Sequence, residues 1–188
     1  LELLICANNK LTKINIKYNK RLGAIDCTNN RIKKLNIQKH KKLGEVYCSH
    51  NRLKELKFDK SLQELSEVYC SDNKISKLYI KGLKMLEVLV CNNNGMKKLE
   101  LKELGYIFIG CRHNKLKTLD FSNVVVAELS CSYNRLETID TYAAQYVDCS
   151  YNKIKEIKGS FYNMTSFECN NNQITELNID KPCDEFEE

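Results

Sequence analysis

Tryptophan is absent from these 188 residues, proline occurs once and glycine only 7 times. A loop-rich globular fold needs more of both to punctuate its turns, so that architecture is disfavoured from the start. No run of about 18 apolar residues exists, which excludes a transmembrane helix and points away from membrane insertion. No charged segment followed by an apolar stretch opens the chain, so no signal peptide is visible. The sequence begins at Leu1, in mid-pattern and without Met, and reads as a segment of a longer protein. A strong excess of one charge is also lacking: 30 Lys and Arg stand against 24 Asp and Glu, a formal +6. That balance suits an acidic partner but falls short of the basic footprint of a dedicated nucleic-acid binder.

What the sequence does have is a repeat. Cys is followed three residues later by Asn at Cys6/Asn9, Cys27/Asn30, Cys48/Asn51, Cys70/Asn73, Cys91/Asn94, Cys111/Asn114, Cys131/Asn134, Cys149/Asn152 and Cys169/Asn172. Successive cysteines are separated by 21, 21, 22, 21, 20, 20, 18 and 20 residues, and of the ten only Cys183 stands outside the rule. Apolar residues keep the same register, two before each Cys (Leu4, Ile25, Val46 and so on to Phe167) and two and five after each Asn. The pattern is L-x-x-L-x-C-x-x-N-x-L-x-x-L-x-[LIF].

Each symbol has a physical reason. Alternating L-x-C has a period of two, hence a short strand with Leu and Cys facing inward. A turn of about 20 residues cannot bury its apolar side alone, so neighbouring turns must stack into a parallel sheet with strands about 4.8 Å apart. The Asn stands where the chain leaves the strand. There its amide can donate to and accept from backbone groups, including those of the next turn, that the bend would otherwise bury unpaired. Repeated nine times, this becomes an asparagine ladder.

The pattern resembles the leucine-rich-repeat superfamily. Within it, C-S-Y-N-R-L-E-T-I-D at 131–140 is similar to the short class of about 21 residues called IRREKO, known from bacteria and protozoa, which has Cys where most repeats have a third Leu. The resemblance implies a leucine-rich-repeat solenoid of nine repeats over residues 1–182, coiled right-handedly, with a concave parallel sheet and a convex side of irregular or extended segments. Residues 183–188 are left as an acidic tail. The fold does not carry a function with it. Thr141 and Gly159 break the last apolar position of repeats seven and eight, so the convex side is expected to thin near 140–162; Pro182 ends the series.

Stacked cysteines with parallel Cβ vectors about 4.8 Å apart are too distant for a disulfide, which prefers roughly 3.8 Å. No C-x-x-C pair exists for a metal. The thiols therefore read as small, inert core residues, with Cys183 exposed in the tail. Nine unpaired thiols fit a reducing cytoplasm, the cell's own or a host's, better than a cell surface, though buried thiols would survive in either.

No G-x-S-x-G, Walker loop, G-x-G-x-x-G or H-E-x-x-H appears. His50 and His113, each one residue before a ladder Asn, are about 15 Å apart by three strand spacings and cannot share a metal or a proton. Carboxylates are plentiful, but all lie at repeating exposed positions without the contrasting environments of a catalytic pair. No catalytic, metal or cofactor residue is assigned, and a non-enzymatic protein-binding module is expected.

The surface candidates follow from the register. Tyr47, Tyr69, Val88, Val90 and Phe108 fall on outward positions of strands three to six and form one apolar and aromatic patch, bordered by Glu45 and Glu67 with Arg112 at its far end. Rigid aromatics ringed by charge are the anatomy of an interface centre; the competing reading is β-propensity satisfied by cross-strand packing. A second file follows the ladder Asn: Lys10, Arg31, Arg52, Lys74, Lys115, Arg135 and Lys153 form a basic rim. It could dock phosphates or an acidic surface, and in the alternative function it recognises an anionic polymer, nucleic acid or polysaccharide. It also reads as a solvated edge that deters aggregation, partly neutralised by Glu55, Glu137 and Glu156. A third possibility is that the segment is the recognition arm of a larger effector or enzyme.

Overall fold

The computed structural model describes residues 1–178 apart from 59, 81, 102, 122–123, 141–143, 160 and 162–163. Thr141, Pro182, Cys183 and the 183–188 tail thus lie outside the described residues. In chain order the strands are β1 (Leu3–Ile5), β2 (Ala24–Asp26), β3 (Glu45–Tyr47), β4 (Glu55–Lys57), β5 (Glu67–Tyr69), β6 (Lys77–Tyr79) and β7 (Val88–Val90). They continue as β8 (Tyr106–Gly110), β9 (Val125–Ser130), β10 (Thr138–Asp140), β11 (Tyr146–Asp148), β12 (Glu156–Lys158) and β13 (Ser166–Glu168). There is no helix among the described residues, so none is long and apolar enough to cross a membrane.

Nine of these strands, β1-β2-β3-β5-β7-β8-β9-β11-β13, form one parallel sheet in chain order, one strand per repeat. Its register keeps equivalent residues opposite one another: Leu4↔Ile25, Ile25↔Val46, Val46↔Val68 and Val68↔Leu89. The convex side is extended rather than helical. It holds two small parallel pairs, β4 with β6 and β10 with β12, and a bridge from Glu100 to Asp120. Repeats seven and eight are therefore paired on the convex side just ahead of Gly159, which is exposed at φ 105°.

Between the two sides runs a continuous core of the Leu, Ile and Val positions read from the repeat. The cysteines from Cys27 to Cys149 are fully buried, whereas Cys6 and Cys169 in the end repeats are half-buried. Burial pushes the thiols of Cys27, Cys70, Cys111 and Cys149 up to about 12. It holds Cys48, Cys91 and Cys131 well above the ordinary 9.0 as well, with neighbouring cysteines adding to the effect.

The asparagines tie turn to turn. Asn51 Nδ2 donates to the carbonyls of Cys48 (3.2 Å), Ser49 (3.2 Å) and Cys27 of the preceding turn (2.9 Å), while its Oδ1 accepts from the N–H of Ile32 at 2.9 Å. The same set recurs at Asn30, Asn73 and Asn94. It continues through Asn114, Asn134, Asn152 and Asn172. The reach is backward, onto the preceding turn, rather than forward. The Asn9 side-chain amide bonds to the Cys6 and Ala7 carbonyls of its own repeat.

Two local features were not anticipated. Tyr106 occupies a Leu position of the repeat but is 59% exposed. β8 and β9 are longer than their neighbours, and their pairing slips between Ile107 and Phe108, leaving Ala127 as an extra residue. Gly105 precedes this slip, and a Cβ there would stand 2.7 Å from the Lys84 carbonyl oxygen, so the close approach of strands requires glycine. The second feature is His40, only 2% exposed, with Nδ1 3.1 Å from the Ile37 carbonyl oxygen and Nε2 3.0 Å from that of Ile16. It clamps the first two turns together on the convex side.

An amide that satisfies buried backbone groups of two turns is costly to remove, since each orphaned group costs about 1–3 kcal/mol. Asn51→Leu should therefore lower the unfolding free energy by roughly 3 kcal/mol or more, and Asn9→Leu by less than about 1 kcal/mol, as read from urea denaturation. A pH dependence follows from the thiols. Unfolded cysteines ionise near 9.0 while the buried ones keep their protons to about 12. Above pH 9 the unfolded state thus holds fewer protons, so their contribution is complete below 9 and lost as pH rises toward 12. Unfolding free energies from urea titration should fall in that window by up to about 1.4 kcal/mol per pH unit for each buried thiol, and Cys70→Ala should make the decline shallower.

Candidate functional site: the concave sheet face

On each strand the central residue and the following Cys point inward, which leaves the two flanking residues outward. The register then sets equivalent residues side by side in files. One file runs Glu45↔Glu67↔Val88↔Phe108, and the next Tyr47↔Tyr69↔Val90↔Gly110. The five patch residues are thereby brought together: Tyr47, Tyr69, Val88 and Val90 are half-buried and Phe108 is 37% exposed. The Tyr47 and Tyr69 rings stack at 5.2 Å between centroids and 19° between planes. The Tyr47 hydroxyl donates to Glu67 Oε2 at 2.8 Å and lies 3.3 Å from Glu45 Oε2. The two glutamates are therefore part of the patch itself, holding the ring in place. Burial of the hydroxyl, and then its bond to Glu67, pushes the Tyr47 phenol up; burial and the Glu67 charge do the same to Tyr69.

Beneath the patch, the residues after Cys bond in sequence along the sheet. Ser49 Oγ accepts from the Ser71 N–H (3.1 Å), Ser71 Oγ from the Asn92 N–H (3.0 Å), and Asn92 Oδ1 from the Arg112 N–H (2.7 Å). Arg112 itself turns away from the aromatics. Its guanidinium passes Ser130 Oγ at 3.3 Å and pairs with Asp148 Oδ2 at 3.0 Å, two strands further on. The Asp148 side chain is only 8% exposed, and its Oδ1 accepts from the Ser150 N–H at 3.1 Å. Arg112 Nε and Ser150 Oγ are buried without a partner, the only such side-chain atoms among the described residues. Tyr146 donates to Glu168 at 3.0 Å on the neighbouring strand.

The seven basic rim residues are all exposed. Their backbones are stapled from turn to turn, as in Arg31 N–H to the Leu11 carbonyl at 2.8 Å. Glu55 pairs with Lys57 at 3.1 Å and Glu156 with Lys158 at 3.9 Å, so those two carboxylates serve the convex side rather than neutralising the rim.

A file that sequence reasoning treated only as loop lies one residue before each ladder Asn. Asn8, Asn29, His50, Asp72, Asn93, His113, Tyr133, Tyr151 and Asn171 all have left-handed φ, between 50° and 57°. Asn, Asp and His tolerate that conformation best, so the composition of the file was the available signal. Tyr133 and Tyr151 do not fit it, and they are stacked instead: His113 on Tyr133 at 4.2 Å and Tyr133 on Tyr151 at 4.3 Å, nearly coplanar. His50 stands 3.6 Å from Asp72 in the same file.

No protein-family model matches the chain, and no curated protein matches it. Solved leucine-rich-repeat domains do resemble it in fold. The functional domain of InlJ from Listeria monocytogenes, which includes a cysteine ladder, matches 95% of this chain and 46% of its own with a TM-score of 0.70 at 22% identity. YopM from Yersinia enterocolitica matches 95% of this chain and 40% of its own with a TM-score of 0.75 at 20% identity. A chain of the Toll–Spätzle complex of Drosophila matches 84% of this chain and 26% of its own with a TM-score of 0.66 at 17% identity. The chain has the leucine-rich-repeat fold, and it spans less than half the length of each of these three proteins.

Among the concave carboxylates only Asp148 is nearly buried and ion-paired. Asp148→Ala should cost about 1–3 kcal/mol because it removes the acceptor of the buried Ser150 N–H as well as the partner of Arg112, whereas Glu45→Ala should stay within about 1 kcal/mol; thermal unfolding of the two variants measures the contrast.

Proposed function

We propose that this chain is a non-enzymatic binding scaffold that takes a protein partner on its concave face, across Tyr47, Tyr69, Val88, Val90 and Phe108. One observation carries the reading: the aromatic centre of the patch is pre-set, with two rings stacked and the Tyr47 hydroxyl anchored on Glu67. An anchor already fixed in its bound rotamer loses little side-chain entropy on association, about 0.5–1.5 kcal/mol less per side chain than a mobile one. The sheet beneath is equally rigid, since every strand of the patch is bonded on both sides. The solved complex of Toll with Spätzle supports a protein as the class of ligand for this fold. Because the chain covers under half of such proteins, we also propose that it serves as the recognition arm of a larger protein, an effector or an enzyme whose chemistry lies elsewhere.

A second reading rests on the rim, where Lys10, Arg31, Arg52, Lys74, Lys115, Arg135 and Lys153 have no carboxylate partner among the described residues. An anionic polymer lying along it would lose affinity steeply with added salt, and a flat salt response disposes of that reading. For the concave face, the triple variant Tyr47→Ser, Tyr69→Ser, Phe108→Ser should lose capture of an interacting protein by the immobilised chain while its circular dichroism is unchanged. Undiminished capture by the folded variant refutes the patch.

A further inference from the structure

We infer that the partner meets the concave face with a cationic, arginine-rich polypeptide surface; this deepens the concave-face reading above and depends on it. The chain as a whole is formally +6, yet the three outward files of the concave sheet carry six carboxylates, Asp26, Glu45, Glu67, Glu128, Asp148 and Glu168, against the single cation Arg112. Away from this face several carboxylates find cations of their own, as Glu64 does with Lys42 at 2.7 Å and Glu55 with Lys57 at 3.1 Å. On the concave face, among the described residues, only Asp148 is paired in this way.

The register makes the imbalance costly. Glu45 lies directly opposite Glu67 on adjacent parallel strands, and Glu168 lies opposite Asp148, which already holds the Arg112 guanidinium. Like charges facing each other across a strand spacing of about 4.8 Å destabilise a sheet. A cation set between them reverses the sign of that interaction, which makes these pairs complementary to a positive ligand and repulsive toward a negative one.

Arg112 shows what the face does with a guanidinium. It lies across Ser130 and ends on Asp148 Oδ2 at 3.0 Å. Around it, Arg112 Nε and Ser150 Oγ remain buried without partners. A cationic polypeptide brings charges of the same kind for the carboxylates that Arg112 leaves unpaired. Arginine suits the site better than lysine, because a planar fork of donors can bridge two carboxylates on neighbouring strands.

Fluorescence anisotropy with a labelled oligo-arginine peptide tests the inference. The concave variant Glu45→Gln, Glu67→Gln, Glu128→Gln, Glu168→Gln is compared with a control of equal charge change away from that face, Glu55→Gln, Glu64→Gln, Glu137→Gln, Glu156→Gln. The concave set should weaken the peptide about tenfold more than the control, about 1.4 kcal/mol. A difference under about fivefold, or no binding by the unaltered chain, overturns the inference. The same variants keep its failure distinct from failure of the patch. A captured protein lost by the triple serine variant but retained by the four-glutamine one leaves the patch standing and removes the cationic partner. The opposite pattern removes the patch.

Discussion

The structure depends on one demand, that the backbone leaving each strand be fully hydrogen-bonded although it is shut away from water. An isolated turn of about 20 residues cannot meet it, because the carbonyls of Cys and of the following residue point into the bend. The asparagine amide meets it by holding its own turn and the preceding one at once, with two donors and an acceptor all engaged. Stacking in strict register is the only arrangement in which every such amide finds its partners. The parallel sheet, the single file of cysteines and the straight surface files all follow from it. Cysteine belongs at the neighbouring inward position because it is small and apolar, and its burial keeps the thiol protonated and inert.

Register also decides what the surface can be. Since equivalent residues lie side by side, a sequence preference at one repeat position becomes a stripe of chemistry along the rod. The concave files gather aromatics and carboxylates, the rim gathers cations, and the left-handed file gathers amides, then a His–Asp pair, then a stack of rings. A chain with a modest net charge thereby presents two opposed electrostatic faces. Bulk composition, which averages over them, gives no hint of either.

The repeat made the fold readable because its nine copies report the same geometry independently, and the strand centres, buried cysteines and outward columns all stand where periodicity puts them. What escaped was whatever depends on differences between copies. The slip at Ala127 arises where Tyr106 replaces a leucine and the turn shortens, a local exception that a consensus smooths away. The pairing of Arg112 with Asp148 joins residues 36 positions apart on strands that are not neighbours, and no spacing rule signals it. His40, in a lysine-rich stretch outside the repeat pattern, is folded by the turn between two carbonyls, and no repeat position marks it. The left-handed file could have been found from its run of Asn, Asp and His, had each position been asked which backbone conformation it tolerates.

The slip between β8 and β9 bears on how such a rod could lengthen or shorten over time. Coils joined only by contacts common to every repeat can be duplicated or excised with their neighbours meeting equivalent surfaces, so array length there is free to drift by recombination. Where Ile107–Phe108 faces Val126–Glu128 the two contact surfaces are keyed to each other. A chimaera spliced at that joint has to inherit both coils as one block.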